Sequence, residues 1–480
     1  MDSASTEVFD VDVAVMGAGT AGLAAYRAAA AVSPKVLMIE GGIHGTTCAR
    51  VGCMPSKLLI AAGDAAYHAK HAAPFGVHAT VTIDGRAVLD RVRRERDRFV
   101  GFVIDSIESI PAGHKLRGRA RFTEPGVLHV ERDDGAGGQP LARVNARAIV
   151  IATGSSPYVP PMFEGIRDRL VVNDDVFAWE TLPSSVAVFG AGVIGLELGQ
   201  ALSRLGVRVS VFGRSNTVGP LTDPVVKQSA LAAFREEMPV YPDATVRQVR
   251  RVEEGVEITY ADPEGVAKVE TFAFALVAAG RRANLGGIGL EHAGLKLDAR
   301  GAPVCDRTTL QCEGTSVFIA GDASDDVPLL HEAADEGKIA GENAARYPEI
   351  TAGVRRSLLA ITFTEPQIAV VGATLASLSR NAPPEREVVT GEIEFADQGR
   401  SRVMLQNRGI GHVYADRATG RFLGAELVGP RVEHLGHLLA WAHQQGLTID
   451  DMLAMPFYHP VVEEGLRTAL RDAASKITKR

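Results

Sequence analysis

The chain has 480 residues, enough for two to four domains that each bury their own core. Hydrophobic residues make up 46% and charged residues 23%, and the formal net charge of −7 argues against nucleic acid or an anionic membrane surface as partner. No apolar run approaches the ~18 residues that span a bilayer, and the start, MDSASTEVFD, is acidic and polar rather than signal-like, so a cytoplasmic protein is expected.

In chain order, the first informative stretch is VDVAVMGAGTAGLAAYRAAAAVSPKVLMIE. An apolar strand (11–16) turns through Gly17, Gly19 and Gly22 into an alanine-rich helix, and a second strand ends at Glu40. This is the dinucleotide-binding pattern in its required context of strand, glycine turn, helix, strand and acid. Gly17 makes the tight turn, Gly19 lets the backbone approach a pyrophosphate, and Gly22 permits close packing of helix on strand. The helix N-terminus faces the anion, and Glu40 is placed to accept from ribose hydroxyls.

GTTCARVGCMPSK follows, with two of the chain's four cysteines, Cys48 and Cys53. A reducing compartment argues against a structural bridge, so a close pair reads as catalytic or metal-binding. No second Cys or His pair at zinc-finger spacing accompanies it, which makes metal the weaker reading. Five extended residue steps span roughly 17 Å, whereas bridged Cα atoms lie about 4.4–6.8 Å apart. The pair can close only if the chain bends before a regular helix begins, and Gly52 is best able to bend. Lys57, four residues beyond Cys53, falls on the same face of such a helix. The basic run RVRRERDR, interleaved with Glu95 and Asp97, reads as the solvated face of a helix.

AIVIATGSSP (148–157) is a buried-type strand running into a turn at Thr153 and Gly154. The dinucleotide pattern then returns in SVAVFGAGVIGLELGQALSRLGVRVSVFGR, with Gly190, Gly192 and Gly195 between strand and amphipathic helix. FALVAAGRRAN, which carries Gly280, and TSVFIAGDAS, which delivers Asp322 to a loop, complete the recurrence. Each short strand alone would be an ordinary core strand; their ordered repetition around two fingerprints is not. Two nucleotide sites plus a cysteine pair describe an electron relay between a bound flavin and an exchangeable nicotinamide. Among thirteen histidines, His459 stands out because Pro460 follows and Glu464 lies five residues on. A carboxylate bonded to one ring nitrogen fixes the tautomer and stabilises the imidazolium, which suits a base acting near neutral pH.

With these motifs the sequence resembles the FAD-dependent pyridine nucleotide–disulfide oxidoreductases over nearly its whole length, and most closely their dihydrolipoamide dehydrogenase branch. The resemblance implies an α/β fold with two Rossmann-like dinucleotide-binding domains and a C-terminal α+β dimerisation domain. It divides the chain into an FAD domain (1–157), an NAD(P) domain (158–284), a central domain completing the FAD site (285–355) and an interface domain (356–480). TCARVGCMPSK resembles the redox-disulfide signature, which makes Cys53 the flavin-facing thiol and Cys48 the interchange thiol. Lys57 is implied to pair with Glu197 beside the flavin. Asp322 is implied near the ribityl chain, and LLHEAADEG, with His331, at a helix start under the flavin ring. YHPVVEEGLRTAL matches the catalytic His-Pro-x-x-x-Glu and assigns His459 and Glu464. The implied molecule is a homodimer in which the partner subunit's His459 faces the disulfide. The implied reaction oxidises dihydrolipoamide and passes electrons through the disulfide and FAD to NAD⁺. Docking on the lipoyl domain or acyltransferase core of a 2-oxoacid dehydrogenase complex accompanies it. No metal is implied.

The chain departs from the pattern at its second fingerprint, where the NAD-type acid is replaced by Gly213 followed by Arg214. An arginine there welcomes a 2′-phosphate, so NADP use is admitted beside NAD. An NADPH-dependent disulfide reductase of the glutathione reductase type is therefore the alternative, although the second arginine of that signature is here Pro220. Mercuric reductase and the high-molecular-weight thioredoxin reductases would need a C-terminal cysteine pair, and RDAASKITKR has none. The soluble transhydrogenase relatives lack a complete cysteine pair, whereas Cys48 and Cys53 are both present. A docking role in a multienzyme assembly can coexist with catalysis, whereas a purely structural role would leave the intact redox motifs without a purpose. Cys305 and Cys312 have no partner motif and read as free thiols.

Overall fold

A computed structural model of the chain describes residues 7–131, 142–262, 265–381 and 387–478. It comprises two compact units built from interleaved segments. The first gathers Met1–Met54, Arg94–Pro157 and Arg281–Arg355, and the second Pro55–Arg93, Tyr158–Gly280 and Arg356–Arg480.

The first unit is organised by a sheet in the strand order Lys115–Arg117, Val36–Glu40, Glu7–Met16, Ala142–Ile151, Val127–Glu131 and Arg119–Glu124. Val317–Ile319 pairs with the end of Ala142–Ile151, with Phe318 opposite Val150. The two strands beside Glu7–Met16 run parallel to it, and Val13, Ala14, Val15 and Met16 are all buried. Parallel strands covered on both faces need such continuous apolar runs, and that is why 11–16 shows no strict alternation. The helix Thr20–Ala30 packs on the helix Leu330–Arg346 through small residues at helical spacing. A Cβ built on Gly337 would lie 2.2 Å from the Ala21 carbonyl oxygen, and one on Gly341 2.2 Å from that of Ala25. Glycine at 337 and 341 thus lets the two backbones touch where alanine lines the facing helix.

The second unit contains a parallel sheet in the order Val240–Tyr241, Arg208–Phe212, Ser185–Phe189, Phe274–Val277 and Leu170–Val171. An antiparallel three-stranded sheet (Thr245–Val252, Gly255–Ala261, Ala267–Phe272) supplies buried Tyr260 and Phe272 against Phe212. The C-terminal part is an antiparallel sheet ordered Leu359–Thr362, Gln367–Gly372, Phe422–Gly429, Ile410–Asp416 and Val388–Glu394. The helices Val432–Gln444 and Glu464–Lys476 pack on it. Val388–Glu394 alternates buried and less buried residues, the period-2 signature of a strand with one covered face. The α/β class, with two dinucleotide-binding halves and a C-terminal α+β region, is the one the sequence implies. Among the described residues no helix is long and apolar enough to cross a membrane.

Candidate active site

Both fingerprints fold to the same local geometry. Gly17 has φ +110° and Gly190 φ +119°, a left-handed region that side chains disfavour. A Cβ on either would lie 2.3 Å from a carbonyl oxygen, that of Ala152 or Ala278. A Cβ on Gly22 would meet the Gly17 oxygen at 1.9 Å, and one on Gly195 the Gly190 oxygen at 1.8 Å. Gly19 and Gly192 cap the helices Thr20–Ala30 and Val193–Arg204 without a side-chain bond, and nothing stands within 4 Å of where their Cβ atoms would be. Each helix therefore opens, at its positive end, onto a space that side chains would otherwise fill. That cradle fits the pyrophosphate of a dinucleotide. Glu40 ends its strand and accepts from the N–H of Ala18 at 2.7 Å and of Gly42 at 2.5 Å.

Within the first unit, the strand Val317–Ile319 delivers Asp322 into the short turn Gly321–Ser324. Its carboxylate accepts from the Ser155 hydroxyl at 2.6 Å, and Arg281 donates to the same hydroxyl at 2.7 Å and to the Ser155 carbonyl at 2.7 Å. Ser155 and Arg281 lie within the stretches AIVIATGSSP and FALVAAGRRAN, but nothing in either stretch marks them as partners. They meet because Ser155–Pro157 and Arg281–Ala283 pair antiparallel, a contact across 126 residues. Thr153 offers its carbonyl to Asn284 at 3.0 Å, while its buried hydroxyl has no partner among the described residues. Asn284 in turn donates its N–H to the Gly154 carbonyl at 2.9 Å. His331 is the second residue of the helix Leu330–Arg346, whose N-terminus lacks a side-chain cap. Further along that helix, the Glu336 carboxylate accepts from the Gly321 N–H at 2.8 Å and pairs with Arg355 at 2.9 Å. Burial raises the Glu336 pKa against the opposing pull of Arg355.

The cysteine stretch bends at Gly52. Cys48 lies in the short helix Thr47–Val51, Gly52 breaks it with φ −119° and ψ −116°, and Cys53 begins the helix Cys53–Lys70. A Cβ on Gly52 would press to 3.0 Å on the Thr47 carbonyl oxygen, so the bend is tight as well as non-helical. Cys53 therefore occupies a helix N-terminus, an environment that favours thiolate. Thr46, at φ +55°, caps the short helix through its hydroxyl, which accepts from the Ala49 N–H.

In the second unit, the Lys57 ammonium donates to the Glu197 carboxylate at 2.6 Å. Glu197 is only 4% exposed, and its other oxygen accepts from the Phe363 N–H at 2.9 Å. The Phe363 ring lies 4.7 Å from the ammonium, a cation–π contact. One turn and two turns along the same helix, Gln200 and Arg204 continue the face. Gln200 bonds both the N–H and the carbonyl of Glu365. Buried Arg204 binds Glu237 through two donors at 2.7 Å, Glu365 at 2.7 Å and Asp64 at 2.6 Å, with Tyr67 under its guanidinium at 3.9 Å. The motifs do not reveal this network; the spacing 197, 200 and 204 in a fingerprint helix is its one local signal.

Near the C-terminus, His459 Nδ1 lies 3.0 Å from both oxygens of Glu464, the first residue of the helix Glu464–Lys476. The histidine hydrogen bond holds the Glu464 carboxyl below its usual pKa. The carboxylate thereby selects the Nδ1–H form and leaves Nε2 as the basic nitrogen. The His459 side chain is 79% exposed in its own chain. At the second fingerprint, Gly213 is buried at the position matching the NAD-type acid. A Cβ there would lie 2.7 Å from the Pro242 carbonyl oxygen and 2.9 Å from the Ala191 Cβ. Arg214 follows, exposed. Gly280, at φ +107°, has nothing within 4 Å of where a Cβ would be, and its carbonyl accepts from the Tyr158 N–H at 2.9 Å.

Two nucleotide cradles with a bent cysteine pair define a flavoprotein disulfide oxidoreductase. Residues 11–337 match the pyridine nucleotide-disulphide oxidoreductase model, and 359–470 match that family's dimerisation domain. The chain belongs to this family, whose members use FAD and NAD(P). It is 31% identical to a mercuric reductase of Streptomyces lividans, covering 98% of this chain and 97% of that protein. It is 30% identical to a dihydrolipoyl dehydrogenase of Geobacillus stearothermophilus, covering 95% and 94%. Among solved structures, LpdA of Mycobacterium tuberculosis superposes with a TM-score of 0.81 at 25% identity, covering 96% of this chain and 99% of that one. The HOCl-induced flavoprotein disulfide reductase RclA of Escherichia coli shares the fold, with a TM-score of 0.78 at 20% identity over 97% and 100%.

Proposed function

We propose that the chain is a dihydrolipoamide dehydrogenase working as a homodimer, with the first fingerprint holding FAD and the second the nicotinamide. The observation that carries this reading is the His459–Glu464 pair, a base oriented by a carboxylate and exposed on its own chain. FAD, when bound, would supply a two-electron acceptor for a thiolate and a hydride donor for the nicotinamide. The chain's own residues do the rest. The partner subunit's His459 takes a proton from a substrate thiol, and the substrate thiolate attacks Cys48 of the Cys48–Cys53 disulfide. That attack frees Cys53 as thiolate at its helix N-terminus, and the second substrate thiol releases the oxidised product. Lys57, held by Glu197, would supply a fixed positive charge to a bound flavin. Ser155, Arg281 and Asp322 would form a polar wall along the ribityl chain of a bound FAD, and Glu40 would accept from its ribose hydroxyls.

The test is anaerobic reduction of the flavoprotein by dihydrolipoamide, compared between wild type and His459→Gln. The reductive step should slow by about 10²–10⁴-fold. An unchanged rate would remove His459 from the mechanism. Steady-state comparison of dihydrolipoamide, glutathione disulfide and Hg(II), each with both nicotinamides, then separates the lipoamide reading from its relatives. Turnover of Hg(II) or glutathione disulfide in preference to lipoamide would replace it.

A second reading rests on Gly213 and Arg214. An acid at 213 would clash with Pro242 and Ala191, while the exposed guanidinium next to it can meet a 2′-phosphate. This supports NADPH use of the glutathione reductase type. A kcat/KM for NADPH several orders of magnitude below that for NADH would dispose of it.

A further inference from the structure

Cys305 and Cys312 take no part in the relay, yet the backbone sets them directly opposite each other. They form an isolated antiparallel bridge. The flanking hydrogen bonds run from the Asp306 N–H to the Gln311 carbonyl at 2.9 Å and from the Glu313 N–H to the Val304 carbonyl at 3.0 Å. Because the bonds belong to the neighbours, 305 and 312 are a non-hydrogen-bonded pair. Such pairs hold their Cα atoms about 4.5 Å apart with side chains on one face. A disulfide requires Cα atoms about 4.4–6.8 Å apart, so the backbone already meets its demand.

The surroundings keep that geometry fixed. Asp306 accepts from the N–H groups of Thr308 and Thr309 at 2.8 Å each, closing the tip between the two cysteines. The Thr308 carbonyl accepts from the Gly353 N–H, and the Thr309 carbonyl from Asn343 at 3.0 Å. Cys312 is buried in the apolar core beside Val317 and Ile319, whereas Cys305 is only partly covered. One thiol is thus reachable and the other waits behind it.

We propose that Cys305 and Cys312 form a second redox couple, closed by peroxide-class oxidants and reopened by thiols. The Cys305 sulfur attacks hydrogen peroxide, the O–O bond breaks, and Cys305 becomes a sulfenic acid with release of water. The Cys312 thiol then displaces the hydroxyl as a second water, and the S–S bond forms. Two thiols and one peroxide give one disulfide and two waters, with both electrons taken up by oxygen. Burial raises the pKa of both thiols, and around Cys305 the carboxylates of Glu336, Asp326 and Asp306 oppose the help of Arg307. Closure is therefore slow at neutral pH and faster above it.

The test uses the flavin-loaded full chain carrying Cys48→Ser and Cys53→Ser, so that only this pair can bridge. After hydrogen peroxide treatment, denaturation and alkylation, trypsin cuts after Arg307, between the two cysteines. Both alkylatable thiols should disappear together, residues 301–307 should remain joined to 308–338, and dithiothreitol should restore both. In a further Cys312→Ala variant, Cys305 should stop at a sulfenic acid that dimedone traps. If the serine variant does not fold, the same joined peptides are read in wild type, where Cys48 and Cys53 fall on other fragments. The proposal is overturned if both thiols stay alkylatable, or if Cys305 reaches the sulfinic acid while Cys312 stays alkylatable.

Discussion

Each fingerprint turns on a glycine whose Cβ would strike backbone, Gly22 at 1.9 Å and Gly195 at 1.8 Å. No side-chain rotation relieves such a contact, so even one methyl must push the helix start away from its strand. If the first cradle holds FAD and the second the nicotinamide, the two alanine variants should fail differently. Gly22→Ala should be purified with little flavin absorbance per chain. Gly195→Ala should keep its flavin, be reduced by dihydrolipoamide normally, and show a raised KM for the nicotinamide. Loss of flavin from Gly195→Ala alone would reverse the assignment. These glycines are legible in the sequence because turn chemistry is local: strand, glycines and helix lie within about thirty residues. The contact between Ser155 and Arg281 is not, because what joins them is a strand pairing between distant segments rather than any local pattern.

At the scale of elements, two buried ionic clusters tie helices to neighbouring segments within the second unit. In the first, Arg204 meets Glu237, Glu365 and Asp64 at once. Removing one partner of a buried charged set costs about 3–5 kcal/mol, since the carboxylates lose compensation. Arg204→Leu should therefore lower the unfolding free energy by that order in a denaturant titration. Arg204→Lys should recover little, because an ammonium cannot reproduce the guanidinium fork. The other cluster centres on His412, 6% exposed, whose ring nitrogens lie 2.7 Å from Asp223 and 2.9 Å from Glu392. Asp223 caps the helix Pro224–Arg235 and also accepts from the Tyr414 hydroxyl, which reaches Glu426. Asp223, Glu392 and His412 line a surface cavity together with Asp472 and Lys476.

Burial pulls the His412 pKa down, but the bonds to Asp223 and Glu392 outweigh it and the net shift is upward. Burial also opposes ionisation of Asp223, yet its bond to His412 leads the effects that hold it at about 2. A raised histidine stabilises fully below its unfolded pKa and loses that contribution as pH rises through its folded value. A depressed aspartate contributes above its unfolded pKa and loses it as pH falls through about 2. The destabilisation caused by His412→Gln should thus be largest between roughly pH 4 and 6.5 and shrink above neutrality, as thermal midpoints across pH would reveal. A flat difference would mean that His412 does not titrate with folding. None of this is visible in the sequence, where His412 is one of thirteen histidines and its partners lie on other segments.

For the whole molecule, the proposed chemistry requires two chains. His459 is 79% exposed and its neighbour Tyr458 is likewise open, while the matched dimerisation domain spans 359–470. The proposed reading gives this outward-facing base its use in a partner's site, and a C2 pair would complete two sites reciprocally. The dependence can be measured with two variants that should each be inactive, His459→Gln and Cys53→Ser. In a mixed dimer, one site receives the defective histidine together with the defective cysteine, and the other receives neither. Random reassembly makes half the dimers mixed, so roughly a quarter of all sites should be intact and about that share of wild-type lipoamide activity should return. If the histidine served its own chain, every site would carry one lesion and mixing would restore nothing. The recovered activity should also fall on dilution below the dimer dissociation constant, since a lone chain would then hold a redox pair without the base that serves it.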